Sequence, residues 1–361
     1  METKGATNTK EASAYEGNFE KRAIENNEIE KPKRRGHFST KKVVGMVIGL
    51  SLIVLAIGAL LLFSSSLNFF RNSPFSPMSY SQEELVNYTL SLINSNRNGV
   101  VTNPNGTIDT WISGTGEQYP QNVSLSSVGS AQQHADDMLE NHYFSHWDTN
   151  GYKPYMRYTL FGGNGSVTEN IAWYYSSGPF DAKDAIETLE WQMMEEDAQW
   201  NWGHRDNIID PFHNMVSLGI AYDNNNLYLV EDFENDYITW STRNYSGSEV
   251  TMDGTLTISG LSISDVEIYY DKVVNLTTQQ LANSPYNGSY DMGTFVGMVV
   301  PPGWQSTNGI TITAGTWSQT GQDFQIGFDL SPAFAQFGSG VYTLYMTTQS
   351  DEFLTSFSVW N

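Results

Sequence analysis

Residues 43–63, VVGMVIGLSLIVLAIGALLLF, run for twenty-one positions without a charge. As a helix rising 1.5 Å per residue this stretch spans roughly 31 Å, the thickness of a bilayer's hydrocarbon core. It therefore predicts a membrane-spanning helix, and whatever follows it must fold on the other side. The preceding KPKRRGHFSTKK, residues 31–42, holds six basic residues. Basic flanks stay in the cytoplasm, so the N-terminus is expected inside and the remainder outside. A cleaved signal peptide is the competing reading. The forty-two-residue leader is too long for one, the apolar run exceeds the usual ~7–15 residues, and no clear A-x-A site follows. Seven N-x-[ST] sequons, at Asn87, Asn105, Asn122, Asn164, Asn244, Asn275 and Asn287, all fall after the apolar run, as expected of an exported glycoprotein.

Charge divides at the same place. Of 18 Lys/Arg and 40 Asp/Glu in the 361 residues, residues 1–42 take ten and seven, which leaves eight bases against thirty-three acids downstream. A region so poor in bases is unsuited to nucleic acid, because phosphate binding requires basic neutralisation. Its acidity suits an acidic or saline medium, where protonation or salt relieves self-repulsion. The chain has no cysteine, which excludes disulfides, thiolate metal sites and a cysteine nucleophile.

The expected organisation is a disordered cytoplasmic tail over 1–42, a transmembrane helix over 43–63, a Ser/Pro/aromatic linker over 64–80, and two folded domains. In the first, 81–236, SQEELVNYTLSLINSNRNG opens with a capping box, Ser81 to Glu84, and has near-helical apolar spacing. SVGSAQQHADDMLENHYF and DAKDAIETLEWQMMEEDAQW predict two more helices, and ENIAWYY, MVSLGIAYD and NLYLVEDFE predict strands. Over 237–361, short alternating segments such as SDVEIYYD, DFQIGFDL and GVYTLYMTT, separated by Gly, Asn, Ser and Pro, predict an all-β sandwich.

Chemistry is expected in the first of these domains, where five of the six histidines lie between 134 and 213. No P-loop, G-x-S-x-G or H-E-x-x-H is present. HYFSH, residues 142–146, spaces two imidazoles four apart, yet the helical pattern stops near Asn141. His142 is thus expected in a last helical turn, where it favours the helix C-terminus, with His134 on a helix face and His213 in a loop.

In order, AQQHADDMLENHYFSHWDTNG, TENIAW, GHRDNIIDP and SLGIAY resemble the CAP superfamily of cysteine-rich secretory, antigen-five and pathogenesis-related proteins, in its cysteine-free prokaryotic form. The resemblance covers about 81–236. It implies an α-β-α sandwich with a cleft carrying two His and two Glu: His146 in FSH, Glu169 in TENIA, His204 in GHR, and a Glu three residues after a helical Trp. Three after Trp191 stands Met194, so Glu195 is the expected substitute, and Thr168 replaces the family's usual Gly before Glu169.

Two functions are open at this point. One is a cell-surface module binding lipid, glycan, peptide or an envelope protein in the cleft, with Trp147, Trp173 and Trp202 among its walls. The other is a hydrolase of peptide, ester or glycan using the tetrad His146, Glu169, Glu195 and His204. There His146, His204 and Glu169 would hold a divalent ion such as Zn²⁺ with an open position for water. An acidic medium would oppose the metal, since ligating imidazole must be deprotonated.

Overall fold

The computed structural model describes residues 80–105, 107–110 and 121–361. The expected cytoplasmic tail, the membrane helix and all of the linker but Tyr80 lie outside them. Among the described residues no helix is long and apolar enough to cross a membrane.

Helix α1, Gln82–Arg97, begins as its sequence requires: the Ser81 hydroxyl accepts from the Glu84 N–H, and the Glu84 carboxylate accepts from the Ser81 N–H. It ends at a buried arginine, Arg97, which donates to the carbonyls of Gln121, Ile208, Asp210 and His213. One side chain thus joins the end of α1 to the loop before the sheet.

After the short antiparallel pair β1 (Val100–Thr102) and β2 (Ile108–Thr110), that sheet has the order β3-β5-β6-β4, with β3 Ser124–Leu125, β4 Ser166–Tyr175, β5 Met215–Tyr222 and β6 Asn226–Asn235. Strand alternation sorts its side chains onto two cores. Ala172, Val216, Leu218, Ile220, Leu227, Leu229 and Phe233 pack with α1, α4 (Ala182–Glu195) and α5 (Gly203–Ile209). Their neighbours Ile171, Ala221, Tyr228 and Val230 pack with α2, Ser130–Asn141, on the other face. The outcome is a helix–sheet–helix layering. Gly219 in the SLGIAY motif has a direct steric role: a Cβ there would lie 2.0 Å from the Ala131 carbonyl oxygen, so α2 rests on the bare backbone of β5.

After a two-residue link from β6, β7 (Ile238–Ser246) begins a β-rich half. A four-stranded sheet runs β12-β13-β8-β7, with β8 Glu249–Leu256, β12 Thr316–Thr320 and β13 Asp323–Asp329. A five-stranded sheet runs β11-β10-β9-β14-β15, with β9 Ile263–Asp271, β10 Thr294–Val300, β11 Ile310–Thr313, β14 Val341–Thr348 and β15 Phe353–Trp360. Their inner faces enclose Val250, Met252, Val266, Ile268, Phe324, Ile326 and Leu344.

Two strands of this half, β7 and β10, have no period-two pattern in sequence. β7 mixes Trp, Arg and Asn on a half-exposed surface, and β10, TFVGMVV, is interrupted by a register shift between Phe295 and Gly297. GITITAGTW, one segment in sequence, divides at Ala314–Gly315 into β11 and β12, which belong to different sheets. The two halves are in contact. Ser356 N–H donates to the Gly165 carbonyl, and Ser166 Oγ and Asn235 Nδ2 both donate to the Phe353 carbonyl.

Candidate functional site: two anchored histidines

Helix α2 ends at His142, which takes the left-handed conformation at φ 54°, and the chain then turns through Ser145 and His146. His146 Nδ1 lies 2.9 Å from Glu169 Oε1, contributed by β4. The other Glu169 oxygen accepts from Arg157 at 2.6 Å. Arg157 sits on α3, Pro154–Leu160, and also donates to the carbonyls of His146 and Tyr152 at 2.8 Å. It therefore fixes both the carboxylate and the loop that presents the imidazole. His134, fully buried on α2, packs alongside, 4.0 Å from Glu169 and bonded through Nε2 to the Ser145 carbonyl.

Burial, opposed by Arg157, pushes the Glu169 carboxyl up to about 7. Burial first, then the nearby His204 and Arg157, lower His146 to about 3, so its ring is neutral near neutral pH. With Glu169 ionised, Nδ1–H donates to it and Nε2 presents a lone pair; with Glu169 protonated, the roles reverse.

His204 is held by an equivalent device. Its Nδ1 is 2.6 Å from Asp197 Oδ1, while Asp197 Oδ2 accepts from the N–H groups of His204 and Arg205. Asp197 starts a 3-10 turn, Asp197–Trp200, and so caps α5 from six residues before it begins. Between turn and helix, Asn201 and Trp202 are both left-handed, at φ 58° and 64°. This backbone is unfavourable by about 1 kcal/mol or more for a residue with a Cβ. Here it holds Trp200 and Trp202 outward, 51% and 36% exposed, with Trp200 edge-on to His204 at 6.5 Å.

Strand β4 links the two histidines through consecutive residues, whose side chains leave a strand on opposite faces. Glu169 anchors His146; Asn170 Nδ2 donates to the His204 carbonyl and to Glu231 Oε2. Beneath His204, Glu231 of β6 meets Glu190 of α4, both buried. Burial and the facing carboxylate push Glu190 well up, and burial raises Glu231. Among the described residues Glu190 Oε1 and Glu231 Oε1 have no other partner, so a shared proton satisfies both.

Of the expected tetrad, His146, Glu169 and His204 lie in this region and Glu195 does not. Glu195 is exposed at the end of α4, because the helix turns its buried face through Glu190, Met193 and Met194. Asp197, two residues further on, is the carboxylate that reaches a histidine. Trp147 is likewise no cleft wall: it is 8% exposed, with Tyr286 edge-on at 5.4 Å. Trp173 is 47% exposed on β4, stacked on Tyr228, and Trp202 is exposed with the Arg205 guanidinium over its ring at 5.2 Å. The other histidines are structural. His142 caps α2, and buried His213 bonds Asn235 and Asn207.

Sequence reasoning missed Arg157, Asn170, Asp197 and the Glu190–Glu231 pair. Arg157 had one available signal, a lone base within the apolar PYMRYTL of a region that holds few bases.

As a metal site the arrangement is incomplete. Among the described residues no group of three or more His, Asp or Glu is placed to hold an ion. Both oxygens of Glu169 are engaged, so it orients His146 and is not a free donor. Two Nε2 atoms remain, without a hydrogen-bond partner among the described residues. They fall short of the three protein ligands of an ordinary catalytic zinc site.

The sequence model of the cysteine-rich secretory protein family, CAP, matches residues 121–240. Among solved structures, an extracellular protein containing an SCP domain from Bacillus anthracis str. Ames is 19% identical with a TM-score of 0.31, over 46% of this chain and 45% of that one. This chain thus spans less than half the length of that protein. The CAP domain of Enterococcal PrgA is 13% identical with a TM-score of 0.29, over 48% and 70% of the two chains. NaASP2 with Zn²⁺ is 14% identical with a TM-score of 0.26, over 45% and 84%. No curated protein matches. Residues 121–240, which carry His146, Glu169 and His204, are a CAP domain of the cysteine-rich secretory protein family, in a chain that has no cysteine.

Proposed function

We propose that this chain is a membrane-anchored surface protein whose CAP domain binds a neutral glycan at the cleft between His146 and His204. One observation carries the reading. Each imidazole is fixed through Nδ1 by a carboxylate and leaves Nε2 unengaged among the described residues, and the exposed indole of Trp200 stands edge-on to His204. Fixed hydrogen-bonding tips beside exposed aromatic faces suit a ligand with hydroxyl groups on an apolar ring. The acidity of the region disfavours an anionic ligand. Anchorage rests on the uncharged run 43–63, and export on the sequons, whose seven asparagines are all exposed.

Tryptophan fluorescence of the full-length chain, titrated with neutral hexose and N-acetylhexosamine oligosaccharides, tests the reading. Saturable quenching, weakened by His146→Ala, His204→Ala and Trp202→Ala, is expected. Binding of phospholipid vesicles or of peptides in place of every oligosaccharide would replace the ligand class.

The second reading, a divalent-metal hydrolase of peptide, ester or glycan, draws on the carboxylate–histidine pairing, which also orients metal-binding imidazoles. It requires donors beyond the two Nε2 atoms. Zinc titration of the same chain decides it: a real site gives about 2.7 kcal/mol of stabilisation at a hundredfold excess over Kd, lost in either histidine variant.

A further inference from the structure

Between β9 and β10, residues 272–293 leave the β-sandwich half and cross onto the CAP domain. Helix α6, Thr278–Leu281, lies within this strap. Leu276 and Leu281 enter the core formed by Ala131, Ala135 and Met138 of α2. Leu276 N–H donates to the Thr149 carbonyl, and Ser145 Oγ donates to the Tyr286 carbonyl. Gly151 shows how closely the strap passes, since a Cβ there would lie 2.1 Å from the Val274 carbonyl oxygen. A single CAP side chain grips both ends: Lys153 Nζ is 2.7 Å from Asp271 and 2.5 Å from Asp291.

The strap thus holds the 143–153 loop from outside, and that loop carries His146. Tyr290 stands over the imidazole itself, its ring centre 4.9 Å away, and its hydroxyl oxygen accepts the Glu169 N–H at 3.0 Å. β4 is the edge of its sheet, so this N–H faces away from the ladder. Tyr290 satisfies it at the residue that anchors His146.

We propose that Tyr290 is a positioning residue of the His146–Glu169 pair, and that the strap 272–293 supplies one wall of the cleft, so that the site is completed by the C-terminal half of the chain. The ring packs against one side of His146, whose side chain is 12% exposed. Ligand therefore reaches His146 from the side that Tyr290 leaves open. The inference shares its site with the glycan reading, but its test needs no ligand, so the two can fail separately.

The full-length chain and its Tyr290→Ala and Tyr290→Phe variants are treated with diethylpyrocarbonate, and acylation is followed at each histidine by peptide mass. Amide hydrogen exchange is followed in parallel. Tyr290→Ala is expected to speed acylation of His146 on the order of tenfold while leaving exposed His142 and His204 unchanged, the pattern of a local opening and not of general loosening. Tyr290→Phe keeps the ring, so His146 stays protected, but the Glu169 amide loses its acceptor and exchanges faster than its neighbours. An unchanged His146 rate in a folded Tyr290→Ala chain would overturn the wall. If that variant fails to fold, an unchanged Glu169 amide in Tyr290→Phe overturns the positioning role.

Discussion

Glu234 gives the sharpest test of the acid-rich core. It lies on β6 at 2% exposure and accepts from the Tyr158 hydroxyl at 2.7 Å, with no cation among the described residues paired to it. Burial pushes its carboxyl from 4.5 up to about 7, against the donors Ser126 and Tyr158. A carboxyl whose folded pKa is raised holds its proton longer in the folded state. Its contribution to stability is fully present below about pH 4.5 and is lost as pH rises through about 7. At 1.36 kcal/mol per pH unit, a rise of about 2.5 units amounts to about 3 kcal/mol. Buried histidines act in the opposite direction. His134, His146 and His213 are all lowered by burial, so their contribution is present above about 6.5 and is lost as pH falls through their folded values. The whole profile mixes both trends, and the difference between two proteins isolates one. Urea unfolding of the full-length chain and of Glu234→Gln, from pH 4.5 to 8.5, should show similar stability at the acid end. The variant should gain about 3 kcal/mol on the parent above pH 7, since Gln keeps an acceptor for Tyr158 and never ionises. Parallel profiles would mean that Glu234 ionises normally and that the argument from burial is wrong.

Asp197→Ala should cost about 2–3 kcal/mol in urea unfolding, by removing a charged acceptor of three hydrogen bonds, and should weaken oligosaccharide binding as His204→Ala does. Glu195→Gln, a change at an exposed position, should stay within about 0.5 kcal/mol and leave binding intact. Arg157→Leu should cost about 3–5 kcal/mol, because Glu169 would remain buried without its partner. Gly219→Ala should lower stability by about 1–3 kcal/mol, measured the same way, as α2 is forced off β5.

The layered part of the fold was legible because its signals are local. The S-x-x-E box starts α1 at the expected residue, Asp181 caps α4, and the apolar runs of β5 and β6 are those of strands buried on both faces. In the site, His146, Glu169 and His204 were legible as motifs, but the groups that hold them were not. Asp197 is seven residues from His204 and becomes its partner only because Asn201 and Trp202 turn left-handed, which nothing in EEDAQWNW announces. Helical spacing alone favours Glu195. The helix, however, ends there and turns that side chain to solvent. Trp147 illustrates a different limit: its burial depends on Tyr286, 139 positions later, and no periodicity within its own segment reports such a contact.

The central claim is that His146 and His204 act on one bound ligand. A double-mutant cycle for oligosaccharide affinity, measured on the full-length chain with His146→Ala, His204→Ala and both together, tests it. A shared ligand predicts that each single change weakens binding and that the double change departs from their sum by at least about 0.5 kcal/mol. Strictly additive losses, or full affinity in either single variant, would contradict a common site.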